Sequence, residues 1–179
     1  MNNEFLKKAF AWVAHPTGEG ILSLDEYCPT RDIFLARIQR IDASPLFIAV
    51  LGEIGNNAYD HNLGNWRNVP GIYFVREAQN TAAIIADRGQ GVRTTLSRVE
   101  PNLRSDRDAL EVAFTKSVSG RAPERRGNGL KFVRNVIQTQ KWNLQFYSGT
   151  GKAIIKEGSG IEFSEEDRNI EGCIGLIST

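Results

Sequence analysis

The spacing of apolar residues changes part-way along this chain, and the change limits the fold more than any other feature. Over "TRDIFLARIQRI", Ile33, Phe34, Arg37, Ile38 and Ile41 share a helix face, with Thr30 as its N-cap. "SPLFIAVLGEIGNNAYDH" continues that period, with Ser44 as N-cap and Pro45 in the first turn. Beyond Gly71 the pattern shortens. "GIYFVRE" and "TAAIIADRG" are short β-rich runs joined by "AQN", which predicts a hairpin. "NLQFYSG" and "KAIIKEG" alternate as a second hairpin, and "GCIGLIST" makes a final strand. Two further helices are expected, at "DRDALEVAF" and at "GLKFVRNVIQTQ". Helices come mostly first and strands mostly in adjacent pairs. This order favours an α+β two-layer sandwich over a parallel, doubly wound sheet.

The chain has 179 residues and a formal net charge of +1, and 41% of it is hydrophobic. That length suits one domain able to bury a core. The neutral balance gives no footprint for nucleic acid. No apolar run approaches the roughly 18 residues that span a bilayer, and no signal-peptide stretch opens the chain. These features predict a cytoplasmic protein with no membrane partner. Cys28 and Cys173 lack metal spacing and read as buried free thiols. His15, beside a helix-ending proline, reads as a surface residue. Trp12 and Trp66 fit either a core or a partner surface.

The helix beginning at Pro45 carries two stripes. At about 100° per residue, Phe47, Val50, Leu51, Ile54 and Ala58 form a core face. Glu53, Asn56, Asn57 and Asp60 gather on a neighbouring arc, and His61 falls between the two. A solvated face normally mixes lysine and arginine among its acids, and this arc has none. Carboxylates and carboxamides at i and i+4 suit a hard cation such as Mg2+, which takes few protein oxygens and completes its shell with water and phosphate. They equally suit a hydrogen-bonded cluster at a helix end.

Two glycine motifs follow. In "IIADRGQGV", Asp87 ends an apolar strand, and Gly89 and Gly91 let the backbone turn beside a ligand. A carboxylate there can accept a hydrogen bond from the exocyclic amine of adenine, where guanine would present an oxygen. In "RRGNGLKFVRNVI", Gly127 and Gly129 open a helix whose N–H groups suit phosphate. Neither motif is a dinucleotide fingerprint, because Thr94 and Phe132 stand where a third glycine belongs. "GTGKA" is no P-loop either, since Phe146 replaces the first glycine and Ala153 the final Ser or Thr.

In order, E-x-x-x-N-A on a helix, D-x-G-x-G after a strand and G-x-G-L opening a later helix resemble the GHKL ATPases. That superfamily includes gyrase, the ninety-kilodalton heat-shock chaperones, histidine kinases, MutL and the anti-sigma factor serine kinases. The resemblance covers residues 25–179, with 1–24 as an N-terminal helical extension and a lid at about 101–126. It implies the Bergerat ATP-binding fold, with a mixed, mostly antiparallel sheet and helices on one face. It gives Glu53 the place of the general base and Asn57 that of the Mg2+-holding asparagine, with Asn56 and Asp60 in support. Asp87 takes the adenine-binding position, with Gly89, Gly91 and Val92 shaping the turn. Gly127, Asn128, Gly129 and Leu130 match the phosphate box, and Lys116 in the lid would approach the phosphates. The lid's Arg121, Arg125 and Arg126, with Arg134 beyond, are either solvated or charge-neutralising.

The chain carries no phosphoacceptor hairpin and no transducer domain, so it resembles the stand-alone, anti-sigma kinase format. That format implies ATP/ADP and Mg2+ as ligands and a serine/threonine kinase acting on a small, STAS-like protein partner; a homodimer is left open. The same residues would equally serve an ATP-hydrolysing switch or a nucleotide-dependent binding module.

Overall fold

A computed structural model describes residues 3–15, 20–62, 71–77, 81–116 and 128–179. Five strands form one sheet: β1 (Tyr27–Cys28), β2 (Ile72–Arg76), β3 (Ala82–Asp87), β4 (Asn143–Ile155) and β5 (Ile161–Ser178). Their order is β1-β2-β3-β5-β4. Every pairing among the described residues is antiparallel, where a mixed sheet was expected. The six helices of the described residues are α1 (Asn3–Ala14), α2 (Arg31–Ile38), α3 (Pro45–Asn62), α4 (Gly91–Leu96), α5 (Asp106–Thr115) and α6 (Gly129–Thr139).

The caps act as their chemistry dictates. Thr30 Oγ1 accepts the Ile33 N–H at 3.4 Å, and Ser44 Oγ accepts the Phe47 N–H at 3.2 Å, each satisfying a donor that the first turn leaves free. The α3 core stripe is buried as its period requires, with Val50 and Leu51 fully enclosed. α2 departs from expectation at Ile33, which is 40% exposed, while Phe34 and Ile38 enter the core. α2 also packs tightly on α3: a Cβ at Gly55 would lie 2.1 Å from the Phe34 ring.

On the front face, α2, α3, α5 and α6 contribute Phe34, Leu51, Phe114 and Ile137 against Phe74, Ile85 and Phe146 of the sheet. Each such side chain contributes about 1.5–3 kcal/mol when fully buried. The back face is not bare. Trp12, Ala9 and Val13 of α1 pack there on Tyr73, Ile84 and Ala86, so helices cover both faces rather than one. The reason lies in β3, whose six residues are all buried. A strand apolar on both sides needs cover on both sides.

One other expectation changes. "NLQFYSG" and "KAIIKEG" are one continuous strand, β4, whose register with β5 shifts around Gly149. Gly149 takes φ +61°, a bulge that bends the strand without reversing it. The hairpin turn comes after Ile155, and Ile161–Glu165 pair back onto Gly151–Ile155 of β4. Within the segment expected as a lid, 101–126, Asp106–Thr115 form α5, whose Leu110 and Phe114 are fully buried. Residues 117–127 lie outside the described residues. No described helix is long and apolar enough to cross a membrane, and both cysteines are free.

Candidate functional site

Three elements carry the residues singled out by sequence. α3 holds Glu53, Asn56, Asn57 and Asp60, all partly buried beside its core stripe. α6 runs along α3 and begins at Gly129. A Cβ at that glycine would lie 2.7 Å from Glu53 Oε2 and 3.3 Å from Asn57 Nδ2. The carboxylate and the carboxamide, one helical turn apart, therefore both face the start of α6, where unpaired N–H groups carry partial positive charge. Only glycine leaves room for them.

Asp60 does not join them. Its carboxylate pairs with Arg31 on α2, whose guanidinium also lies 5.9 Å from the Tyr59 ring centroid. It fastens α2 to α3. Lys116 is the exposed C-cap of α5, and Asn128 is the exposed N-cap of α6, with no side-chain cap bond. Leu130 packs against the main core. Gly127, Arg121, Arg125, Arg126 and Trp66 lie outside the described residues, as does the His61 side chain.

Asp87 ends β3 on the front face and is 5% exposed. Register puts it opposite Cys173 of β5, which in turn pairs with Ser148 of β4. The three side chains form one row across the sheet. Asp87 Oδ1 accepts the Gly89 N–H at 2.8 Å, Ser148 Oγ accepts the Val92 N–H at 2.9 Å, and the Cys173 thiol donates to Ser148 at 3.6 Å. Burial pushes the Asp87 carboxyl up to about 7, although hydrogen bonds from Gly89 and Cys173 pull the other way. Burial, then the neighbouring Asp87 charge, raises the Cys173 thiol well above its ordinary value. That thiol packs against the main core and hydrogen-bonds to Ser148.

The sequence alone singles out neither Ser148 nor a place for Cys173 beside Asp87. Their signal was present in the strand alternation, since Phe146 and Ser148 share a face, as do Cys173 and Ile177. Which strands were neighbours was not.

A cavity of about 670 Å3 borders the turn, walled by Gly89, Gln90, Gly91, Asp106, Ser148 and Glu171 among others. Neither Glu53, Asn57 nor Gly129 lines it. The volume thus marks the outer side of the turn, while the convergence of polar groups marks the α3–α6 junction. The convergence is the stronger indication of chemistry, because its residue types are specific and the cavity's mixed lining is not. Among the described residues no three His, Cys, Asp or Glu side chains gather to hold a metal. A scan against known protein families finds no match for this chain, and neither does a search of curated proteins.

Proposed function

We propose that this chain binds Mg2+–ATP between α3, the turn after β3 and the start of α6, and transfers the γ-phosphoryl group to a serine or threonine hydroxyl of a small partner protein. The observation that carries the reading is the approach of Glu53 and Asn57 to Gly129. It joins a proton acceptor, a neutral oxygen ligand and a set of backbone N–H donors, which are what phosphoryl transfer asks of a protein.

The donor set suits Mg2+ in the presence of nucleotide. The Asn57 carboxamide oxygen would hold it, with phosphate and water completing the shell. When bound, the ion neutralises charge on the phosphates. The chain's own residues do the rest. N–H groups at the start of α6 bind phosphate oxygens. Glu53 accepts the proton of the attacking hydroxyl as its oxygen bonds to the γ-phosphorus and the bond to the β-phosphate breaks. Asp87, buried and oriented by Gly89, accepts from the exocyclic amine of adenine and disfavours guanine.

The test follows γ-labelled ATP with the protein, its Glu53→Gln variant and a cell extract or small candidate partner. Acid-stable label on another protein, present with the native chain and lost with Glu53→Gln while ATP binding persists, is the expected result. Free phosphate alone would make the chain an ATP-hydrolysing switch, and absence of ATP binding would end the reading.

A further inference from the structure

Asp87 faces the front of the sheet; the next residue, Arg88, faces the back. Its side chain is 1% exposed, an unusual burial for a guanidinium. Among the described residues two contacts hold it. Nη2 donates a hydrogen bond to the His15 carbonyl, just past the end of α1, and the guanidinium carbon lies 5.8 Å from the ring centroid of the fully enclosed Trp12. A helix C-terminus carries partial negative charge, so a cation is favoured there. Desolvated stacking on tryptophan adds to it. An apolar side chain at this position would avoid the desolvation penalty that a buried guanidinium carries.

The peptide joining Asp87 to Arg88 is also held from β5. Gly172, at φ +90°, lets the β5 backbone lie directly against it: a Cβ there would fall 2.1 Å from the Asp87 carbonyl oxygen and 2.9 Å from the Arg88 Cα. The turn that carries Gly89 and Gly91 springs from this clamped peptide. Its first N–H is the one bound to the Asp87 carboxylate. A shift of Arg88 on the back face therefore displaces the aspartate and its turn on the front face.

We infer that Arg88 is a positioning residue, which uses α1 as an anchor to fix the turn bearing Asp87, so that the seating of α1 and the affinity of the adenine site are coupled. The inference rests on the ATP reading for its ligand, but not for its mechanical part. Coupling of this kind is reciprocal: bound nucleotide tightens α1, and a loosened α1 weakens nucleotide. α1 is thereby a handle through which anything that pulls on the amino-terminal segment would adjust the site.

The experiment compares the full chain with Arg88→Met and Arg88→Lys, reading amide exchange residue by residue and ATP affinity by calorimetry. For Arg88→Met, exchange at residues 89–92 and in the last turn of α1 should rise about tenfold, with a similar loss of ATP affinity, the scale of one desolvated cation–π contact with its hydrogen bond. β2 should keep its native rate, and Arg88→Lys should fall between. In the native protein, saturating ATP should slow exchange in α1. Faster exchange in α1 with an unchanged turn, or a uniform rise across the sheet, overturns the coupling. If Arg88→Met does not fold, Trp12→Leu removes the stacking surface and is read in the same way. Should the native protein bind no ATP, the proposed function fails, and exchange at residues 89–92 still decides the coupling.

Discussion

Asp87 carries a carboxyl group that burial pushes up to about 7, and this has a definite sign for stability. The folded protein holds the proton more tightly than the unfolded chain, whose aspartate titrates near its ordinary value. Between about pH 4 and 7, rising pH therefore removes stability, by up to roughly 1.4 kcal/mol per unit, and the loss levels off above pH 7. Asp87→Asn should flatten that component in urea titrations from pH 4 to 8; an unchanged slope would mean the carboxyl is not the group responsible. Ligand affinity should run the other way, rising towards pH 8 as the carboxylate acceptor forms. Gly129 offers a second probe at this scale. A methyl group there would meet Glu53 Oε2 at 2.7 Å, and that oxygen ends a flexible side chain. Gly129→Ala should therefore fold with nearly native stability while displacing the carboxylate, cutting the proposed phosphoryl transfer at least tenfold, the scale of a misplaced catalytic group. Native turnover in that variant would remove the α3–α6 junction from the chemistry. Glu53, Asn57 and Asp87 stand out as candidates in the sequence because their chemistry is unusual for their surroundings. The pairing of Asp60 with Arg31 was not legible, because helical angle alone does not reveal what stands across from a residue.

At the level of elements, the β4 bulge ties the sheet to α5. The Asp106 carboxylate, in the first turn of α5, accepts the Thr150 N–H at 3.0 Å and its hydroxyl at 3.2 Å. Gly149 makes the room: its missing Cβ would stand 2.2 Å from Asp106 Oδ2, and its φ of +61° is one that other residues resist. Gly149→Ala should lose about 1–2 kcal/mol from backbone strain alone, more with the Asp106 contacts, and a denaturant midpoint equal to the native one would show that the bulge relaxes freely. The alternation of "NLQFYSG" and "KAIIKEG" predicts a hairpin, which would place a reversal between them. Whether a left-handed glycine turns a strand or only bulges it depends on what packs beside it, and here that is a carboxylate 43 positions earlier in the chain. The capped starts of α2 and α3 were readable for the opposite reason, since donor and acceptor lie three residues apart.

Across the whole molecule, α1 closes the back of the sheet with Trp12, 1% exposed against Tyr73 and Ile84. Trp12→Ala should lower unfolding stability by about 3–5 kcal/mol, as for other large-to-small core changes, in a single cooperative transition. A loss below about 1 kcal/mol would make α1 an appendage rather than core. The sequence by itself determined the local elements: the two-stripe helix α3, its cap, the β2–β3 hairpin, and an α+β rather than doubly wound class. These follow from periodicity and from capping over three or four residues, interactions the chain states within one short window. Only the tertiary structure decided that β5 inserts between β3 and β4, that Asp87, Cys173 and Ser148 share a row, that Glu53 and Asn57 meet the start of α6, and that α1 lies behind the sheet. Each of those depends on which distant segments pair, and strand pairing is selected by the packing of both sheet faces together, which no local spacing encodes.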